Sequence, residues 1–250
     1  MPITYHFKVD DCPSFGGASL SAPREAVLLK IYAYLISHAG QTVKSTDIQQ
    51  AIDHNNGDIR SIIAILKKFG FTNLEEGQEI KTENFFTDKG KVFIHVLRAK
   101  SLLTGDESEI IHNRIYDAYH HILQDGIWRC YKSNDARNTG IQIILNTLGI
   151  IKTMSFNEYC FALSEIYSNA QYSFSAISNQ ILSNRTKGVV YSFVKDVQQR
   201  TGLASVSNFE TILQSTRELL YQAGITANQN APIEICDNDF FKKHKLPYYE

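Results

Sequence analysis

The side chains best suited to chemistry crowd into residues 44–71, KSTDIQQAIDHNNGDIRSIIAILKKFGF. Arg60 brings a planar guanidinium whose paired N–H groups match the O6 and N7 of guanine, or two oxygens of a phosphate. Lys67 and Lys68 add point charges that suit phosphates. Gln49, Gln50, Asn55 and Asn56 each set a donor beside an acceptor, the pairing that an adenine edge or a backbone contact requires, and Ser61 adds a hydroxyl next to Arg60. Lys44, Ser45 and Thr46 stand where the unpaired N–H groups of a helix start can hold an anion. The chemistry this set supports is non-covalent: gripping phosphates and reading base edges. Each residue also has a plainer role, since amphipathic helices carry solvated cations, helix starts use hydroxyls as caps, and turns use Asn.

Bond-breaking chemistry needs a different constellation. A metal-dependent nuclease requires acids and a lysine converging on a divalent ion, and the nearest approach is Asp58 with Glu79-Ile80-Lys81. Those positions fall on a helix and a turn segment rather than on neighbouring strands of a nuclease sheet. No GxxxxGK[ST] run is present, and Gly16-Gly17 alone marks a loop. His120 and His121 with Cys130 suggest a base and a nucleophile, yet adjacent residues on a helix point apart. Four cysteines, at 12, 130, 160 and 236, form no CxxC and have no His at ligand spacing, so neither zinc nor a disulfide framework is expected. The sequence predicts no catalytic residue, no metal and no cofactor.

Two short helices must position the polar set. Ser45 or Thr46 can cap the first, whose apolar Ile48 and Ile52 lie four residues apart. His54-Asn55-Asn56-Gly57 breaks it, because Asn and Gly turn the backbone at little cost. A second helix then starts near Asp58 with Ile59, Ile62, Ile63, Leu66 and Phe69 on one face, and Arg60, Ser61, Ala64, Lys67 and Lys68 on the other. Gly70 ends it, and Phe71 returns to the core as in an αL cap. Two helices joined by a glycine-bearing turn, the second with a basic outer face, have the shape that lays a helix in the DNA major groove.

The flanking pattern extends that motif. Ile3, Tyr5, Phe7 and Val9 alternate as a strand, 11–23 is a loop with Pro and Gly-Gly, and 24–38 is a helix with Val27, Leu28, Ile31, Tyr34 and Leu35 inward. After Gly70, segments 71–74 and 78–82 flank Glu75-Glu76-Gly77 and predict a small hairpin. Thr87 caps a helix from 88 to about 103, with Val92, Phe93, Val96 and Leu97 inward. The order helix, helix, helix, hairpin, followed by FFTDKGKVFIHVL, resembles the winged helix-turn-helix superfamily over residues 21–103. One departure bears on function: Glu75, Glu76, Glu79 and Glu83 face a lone Lys81 in the wing, which suits phosphates poorly and leaves DNA contact to the second helix and its flanks.

Thr104-Gly105-Asp106 reads as a boundary, giving a winged helix-turn-helix domain at 1–104 and a helical region of one or two related lobes at 105–250. In the latter, 107–124, 139–148, 156–167, 189–199 and 208–223 read as helices, 168–184 is Ser/Asn-rich but carries apolar residues, 128–138 reads as a loop and 233–236 as a short strand. Three helix ends share two apolar residues, two variable ones, an apolar one, Gly and an apolar one, with glycines at 70, 149 and 224. Any glycine-capped helix with an apolar follower gives the same pattern. The segments IRSIIAILKKFGF, RNTGIQIILNTLGII with MSFNEYCFAL, and RELLYQAGI resemble the multi-lobe DNA-recognition regions of type IIS and related restriction endonucleases. That resemblance implies recognition of a defined duplex sequence by a protein whose cleavage chemistry sits elsewhere, and it makes Arg137, Asn138 and Gln142 the second lobe's counterparts of the contact residues. The tail FFKKHKLPYY mixes lysines with aromatics that either stack on nucleic acid or dock on the protein's own core.

Composition narrows the partners. At 250 residues and 43% hydrophobic the chain can bury two or three small cores, and 25 Lys plus Arg against 26 Asp plus Glu leave a formal charge of −1. Such neutrality weighs against non-specific nucleic-acid coating more than against sequence-specific binding, which needs only a local positive stripe. No apolar run reaches membrane-span length and the start lacks a signal-peptide pattern, so a soluble, cytoplasmic protein is expected. The resulting expectation is a mainly α protein, with a minor β component, of tandem winged-helix or helix-turn-helix lobes. It would bind double-stranded DNA sequence-specifically, as a recognition module or subunit of a restriction-type or regulatory system without its own catalytic site, with a homodimer or another subunit as further partner. The alternatives are a protein-interaction scaffold using winged helices for subunit contacts and a metal-dependent restriction nuclease.

Overall fold

Apolar residues at three- and four-residue spacing dictate helices, and the computed structural model is mainly helical over the residues it describes, 3–8, 19–52, 56–75, 78–135, 138–168, 171–196, 209–230 and 232–248. The first half runs β1 (Ile3–Lys8), α1 (Ala22–Ser37), β2 (Thr42–Val43), α2 (Ser45–Ala51), α3 (Asn56–Phe69), β3 (Ile80–Lys81), α4 (Asp88–Ser101) and α5 (Glu109–Tyr131). The second runs α6 (Thr139–Ile151), β4 (Thr153–Met154), α7 (Phe156–Ser168), α8 (Phe174–Thr186), β5 (Tyr191–Asp196), α9 (Phe209–Gln222), β6 (Ile233–Glu234) and α10 (Asn238–Lys243). Two compact units result: Gly16–Lys132, and Met1–Phe15 with Ser133–Glu250.

In the unit Gly16–Lys132, Val27, Leu28, Ile31 and Leu35 of α1 meet Ile59, Ile62, Ile65, Leu66 and Phe69 of α3, and Phe93, Ile94 and Leu97 of α4 close the core, all of them buried. This compact unit extends past the boundary read at 104, to Lys132. Helix α5 is the reason: it continues through the predicted loop to Tyr131 and packs Tyr119, Leu123, Ile127 and Cys130 against α3 and α4. Residues 104–107 are a turn, in which the Glu107 carboxylate accepts the N–H groups of Thr104 at 2.7 Å and Gly105 at 2.9 Å. Two predicted inward residues are exposed, Val92 and Ile111, because neighbouring Ile94 and Tyr119 set the buried faces.

One polar cluster ties this unit together. Glu25 of α1, almost buried, accepts two hydrogen bonds from Lys100 of α4 (2.6 and 2.8 Å) and one from the Tyr119 hydroxyl of α5. The Lys100 ammonium also lies 4.4 Å from the Tyr119 ring centroid. Burial first, and then the Glu25 charge, push the Tyr119 hydroxyl well above its ordinary range, so it stays a neutral donor.

The other unit pairs β1 with β5 in parallel, Ile3 against Tyr191 through Lys8 against Asp196. Residues 191–196 thus form a strand where a helix is predicted for 189–199. Their β-branched and aromatic content suits a strand, and the partner that decides between the two lies at the opposite end of the chain. Helix α6 packs against α7, α8 and α9. Arg185 of α8 clamps the start of α7 by bonding Glu158 (2.6 and 2.9 Å) and the carbonyls of Ile151 and Thr153. Burial works against ionisation of Glu158, but the bonds from Arg185 and Ser155 outweigh it and hold the carboxyl below its ordinary range. Gly149 is not the helix stop the repeat pattern suggests. It lies inside α6, where a β-carbon would come within 2.0 Å of the Pro247 carbonyl oxygen, so glycine is there for close packing. Among the described residues, no helix is long and apolar enough to cross a membrane.

Removing one partner from the Glu25 cluster leaves a nearly buried charge unpaired, so Lys100→Met should destabilise the protein by about 2–4 kcal/mol in urea unfolding. The turn at 104–107 has a pH signature. The Thr104 N–H foremost, then the N–H of Glu107 itself, with smaller help from the Thr104 hydroxyl and the Gly105 N–H, hold the Glu107 carboxyl at about 2, below its ordinary 4.5. Because the folded value is the lower one, the turn's contribution is whole above the ordinary value and fades as pH falls towards 2. The Thr104 and Gly105 amide resonances should therefore titrate with a midpoint near 2, and Glu107→Gln should abolish that titration.

Candidate nucleic-acid interface

The candidate surface is built on α2 and α3. Asp47 caps α2 by accepting the Lys44 N–H at 2.7 Å, so Lys44 occupies the capping position and Ser45 and Thr46 fall in the first turn. The Asp47 carboxylate thus takes up one of the free N–H groups at the α2 start. Ile48 of α2 is fully buried and anchors the helix, leaving Thr46 and Gln50 exposed and Ser45 and Gln49 partly so.

Helix α3 begins at Asn56, two residues before the expected start. Its buried face is Ile59, Ile62, Ile65, Leu66 and Phe69, with Ile65 rather than Ile63 completing it. That fixes the opposite face outward: Arg60 and Lys67 are exposed and Ser61 and Lys68 half-buried. The helix stops as predicted. Gly70 takes φ +74°, Gly70 N–H donates to the Lys67 carbonyl (3.0 Å) and Phe71 N–H to the Leu66 carbonyl (2.7 Å). Thr87 also caps α4 as predicted, accepting the Gly90 N–H at 3.0 Å.

The expected hairpin of 71–74 with 78–82 takes another form. Ile80–Lys81 pairs antiparallel with Thr42–Val43, and Thr72 bridges to Phe86. Glu75 and Glu79 are thereby set beside the helices of the motif. These acids meet the cations: Lys67 pairs with Glu75, and Lys44 with Glu79 at 2.9 Å, every partner about half exposed. The hydrogen bond and charge of Glu79 raise the Lys44 ammonium above its ordinary range. These pairs are what the sequence reading missed. The acidic count of the wing was its only signal, and which lysine each acid meets depends on the β2–β3 pairing.

The remaining predicted positions scatter. Asn55 lies outside the described residues, as does the side chain of Asn56. Arg137 also lies outside them. Asn138 is buried at the start of α6, and Gln142 is half-buried with its amide 3.5 Å from the Ser133 carbonyl oxygen. Both belong to the start of a helix whose apolar residues are buried in the core. In the C-terminal tail, Phe240 and Phe241 are buried and Lys242 and Lys152 lie over the Tyr248 ring, so the described part of the tail docks on its own unit.

For the nuclease arrangement, Glu79 is engaged by Lys44 and the Asp58 side chain lies outside the described residues. Among the described residues, no group of three or more His, Cys, Asp or Glu side chains is placed to hold a metal ion. No protein-family model, no curated protein and no solved structure matches the chain.

Since Lys67 and Glu75 are both about half exposed, their pairing contributes little to folding. A double-mutant cycle of Lys67→Ala and Glu75→Ala in urea unfolding should give a coupling below about 1 kcal/mol.

Proposed function

We propose that the protein binds double-stranded DNA sequence-specifically through α3, as the recognition part of a restriction-type or regulatory system. The observation that carries this reading is the exposed Arg60 and Lys67 face of a helix whose other side is locked in the core and which follows α2 closely in the chain. Fourteen residues of helix extend about 20 Å, and the major groove is about 12 Å wide, so α3 can lie in it. Arg60, in the first half of α3, reads a base edge, and Ser61 assists. Lys67 and Lys68, in its last turn, grip phosphates.

The topology supports winged helix-turn-helix lobes in both units. In one, the β2–β3 pair brackets α2 and α3; in the other, β4 pairs antiparallel with β6, Thr153 against Glu234 and Met154 against Ile233, and brackets α7 and α9. Ser155 N–H donates to Glu158 at 2.8 Å just as Lys44 N–H donates to Asp47. Gly224 ends α9 at φ +67° with Ile225 N–H on the Leu220 carbonyl, as Gly70 ends α3. On this reading α8 and β5 are an insertion, α9 is the counterpart of α3, and the lobes number two.

A second reading, a scaffold that contacts another protein subunit, is favoured by Leu102, Ile110 and Ile111, three large apolar side chains exposed around the α4–α5 turn.

Selection from a randomised duplex library, followed by gel shifts, tests the first reading. Arg60→Ala should weaken the selected duplex by about 10- to 100-fold and relax one base position, while Lys67→Ala weakens the selected duplex without relaxing any base position and lowers its salt slope by about 1. Failure of the library to enrich any sequence at low salt overturns it.

A further inference from the structure

Resting on the DNA-binding reading, we infer that Glu75 and Glu79 are specificity determinants: they hold Lys67 and Lys44 on the protein and so suppress attachment to phosphates of the wrong sequence. Lys44 precedes α2 and Lys67 closes α3, so the two lysines stand at opposite ends of the helix-turn-helix, and each is met by a carboxylate from the same short segment. The β2–β3 pair sets that segment in place, with Val43 against Ile80 one residue from both Lys44 and Glu79. The Lys44–Glu79 contact follows from backbone pairing and is not a chance meeting of two long side chains.

Charge and range do the rest. Non-specific attachment to a duplex is almost entirely phosphate neutralisation, and each lysine so engaged adds about 0.9 to the slope of log affinity against log salt. A lysine paired with a carboxylate must leave it first, and the carboxylate left behind repels the incoming phosphates. Base reading by Arg60 is short-ranged, and no ion pair occupies Arg60 among the described residues. The carboxylates therefore penalise every duplex equally through the backbone, and only a duplex whose bases engage Arg60 is held close and long enough for phosphates to displace Glu75 and Glu79. Specificity arises from lowering the background, which accounts for an acidic wing on a DNA reader. Both acids are about half exposed, so the exchange needs no unfolding.

The test is Glu75→Gln with Glu79→Gln in the full chain, which keeps size and hydrogen bonding and removes two charges. The probes are a random-sequence duplex and the duplex selected by the wild-type protein, each titrated over a salt series. Expected are about tenfold tighter binding of the random duplex, a salt slope steeper by up to about 2, and a smaller ratio between selected and random affinities, with an unchanged thermal melt. If the wild type enriches a sequence but the variant binds random duplex no tighter and with the same slope, the inference is overturned and the reading stands. If neither protein retains any duplex at low salt, the reading falls and the inference with it. A variant carrying Lys44→Gln and Lys67→Gln as well should lose the gain, and retention of the gain also overturns the inference.

Discussion

The backbone of Phe71 is the point on which the Gly16–Lys132 unit turns. Its N–H closes α3 on the Leu66 carbonyl, and its own carbonyl accepts the Thr87 N–H at 3.1 Å. Its ring stacks on Phe93 of α4 with centroids 4.8 Å apart. Thr87 adds a bond to the Gly70 carbonyl (2.7 Å), and Gly90 lies so close that a β-carbon would come within 1.9 Å of the Phe71 oxygen. The end of one helix and the start of another are thereby fixed to a single residue. A rigid rod held at its C-terminal end and along one face cannot roll. The direction in which Arg60 projects is accordingly a consequence of contacts made ten positions downstream, none of which involves Arg60.

The same device closes α9. Ile225 takes the place of Phe71: its N–H bonds the Leu220 carbonyl, its carbonyl accepts the Cys236 N–H at 2.9 Å, and Asp237 caps α10 by accepting the Phe240 N–H. Geometry repeats where charge does not. Three residues before Gly70 stands Lys67, and three before Gly224 stands Tyr221, exposed and uncharged. The backbone scheme answers to packing, which tolerates any outward residue, whereas the outward residues answer to whatever the surface meets. On the proposed reading, two lobes of related build can therefore differ in what they touch, and only α3 presents cations at that position.

How much of this was legible depended on distance along the chain. The α3 face, the Gly70 stop and the Thr87 cap are written within a few residues each, and they form as expected. Strand β5 was read as a helix because its partner, β1, lies far away in sequence, and no local pattern distinguishes six apolar-rich residues awaiting a neighbour from a turn and a half of helix. Gly149 matched a cap pattern for a non-local reason, the Pro247 carbonyl pressed against it. Thr104-Gly105-Asp106 marks a turn, and such a triplet occurs equally well inside a unit as between units. The candidate surface followed the same rule: Arg60 and Lys67 were found from helical spacing, while the acids on Lys44 and Lys67 were visible only as composition.

Near-neutrality then acquires a structural meaning. A chain with formal charge −1 has no net attraction to draw it towards a polyanion, so encounter is not steered and attachment rests on local contact. At that range two arrangements of the same charges differ greatly. Four unpaired lysines and glutamates would let the cations grip any phosphate that passed. Joined as Lys44–Glu79 and Lys67–Glu75, they present two exposed pairs with little field beyond a few ångströms, while Arg60 is exposed on α3. Composition is identical in both cases. The difference comes from two residues of backbone pairing between β2 and β3, so on the proposed reading that short pair sets how selective Arg60 can be.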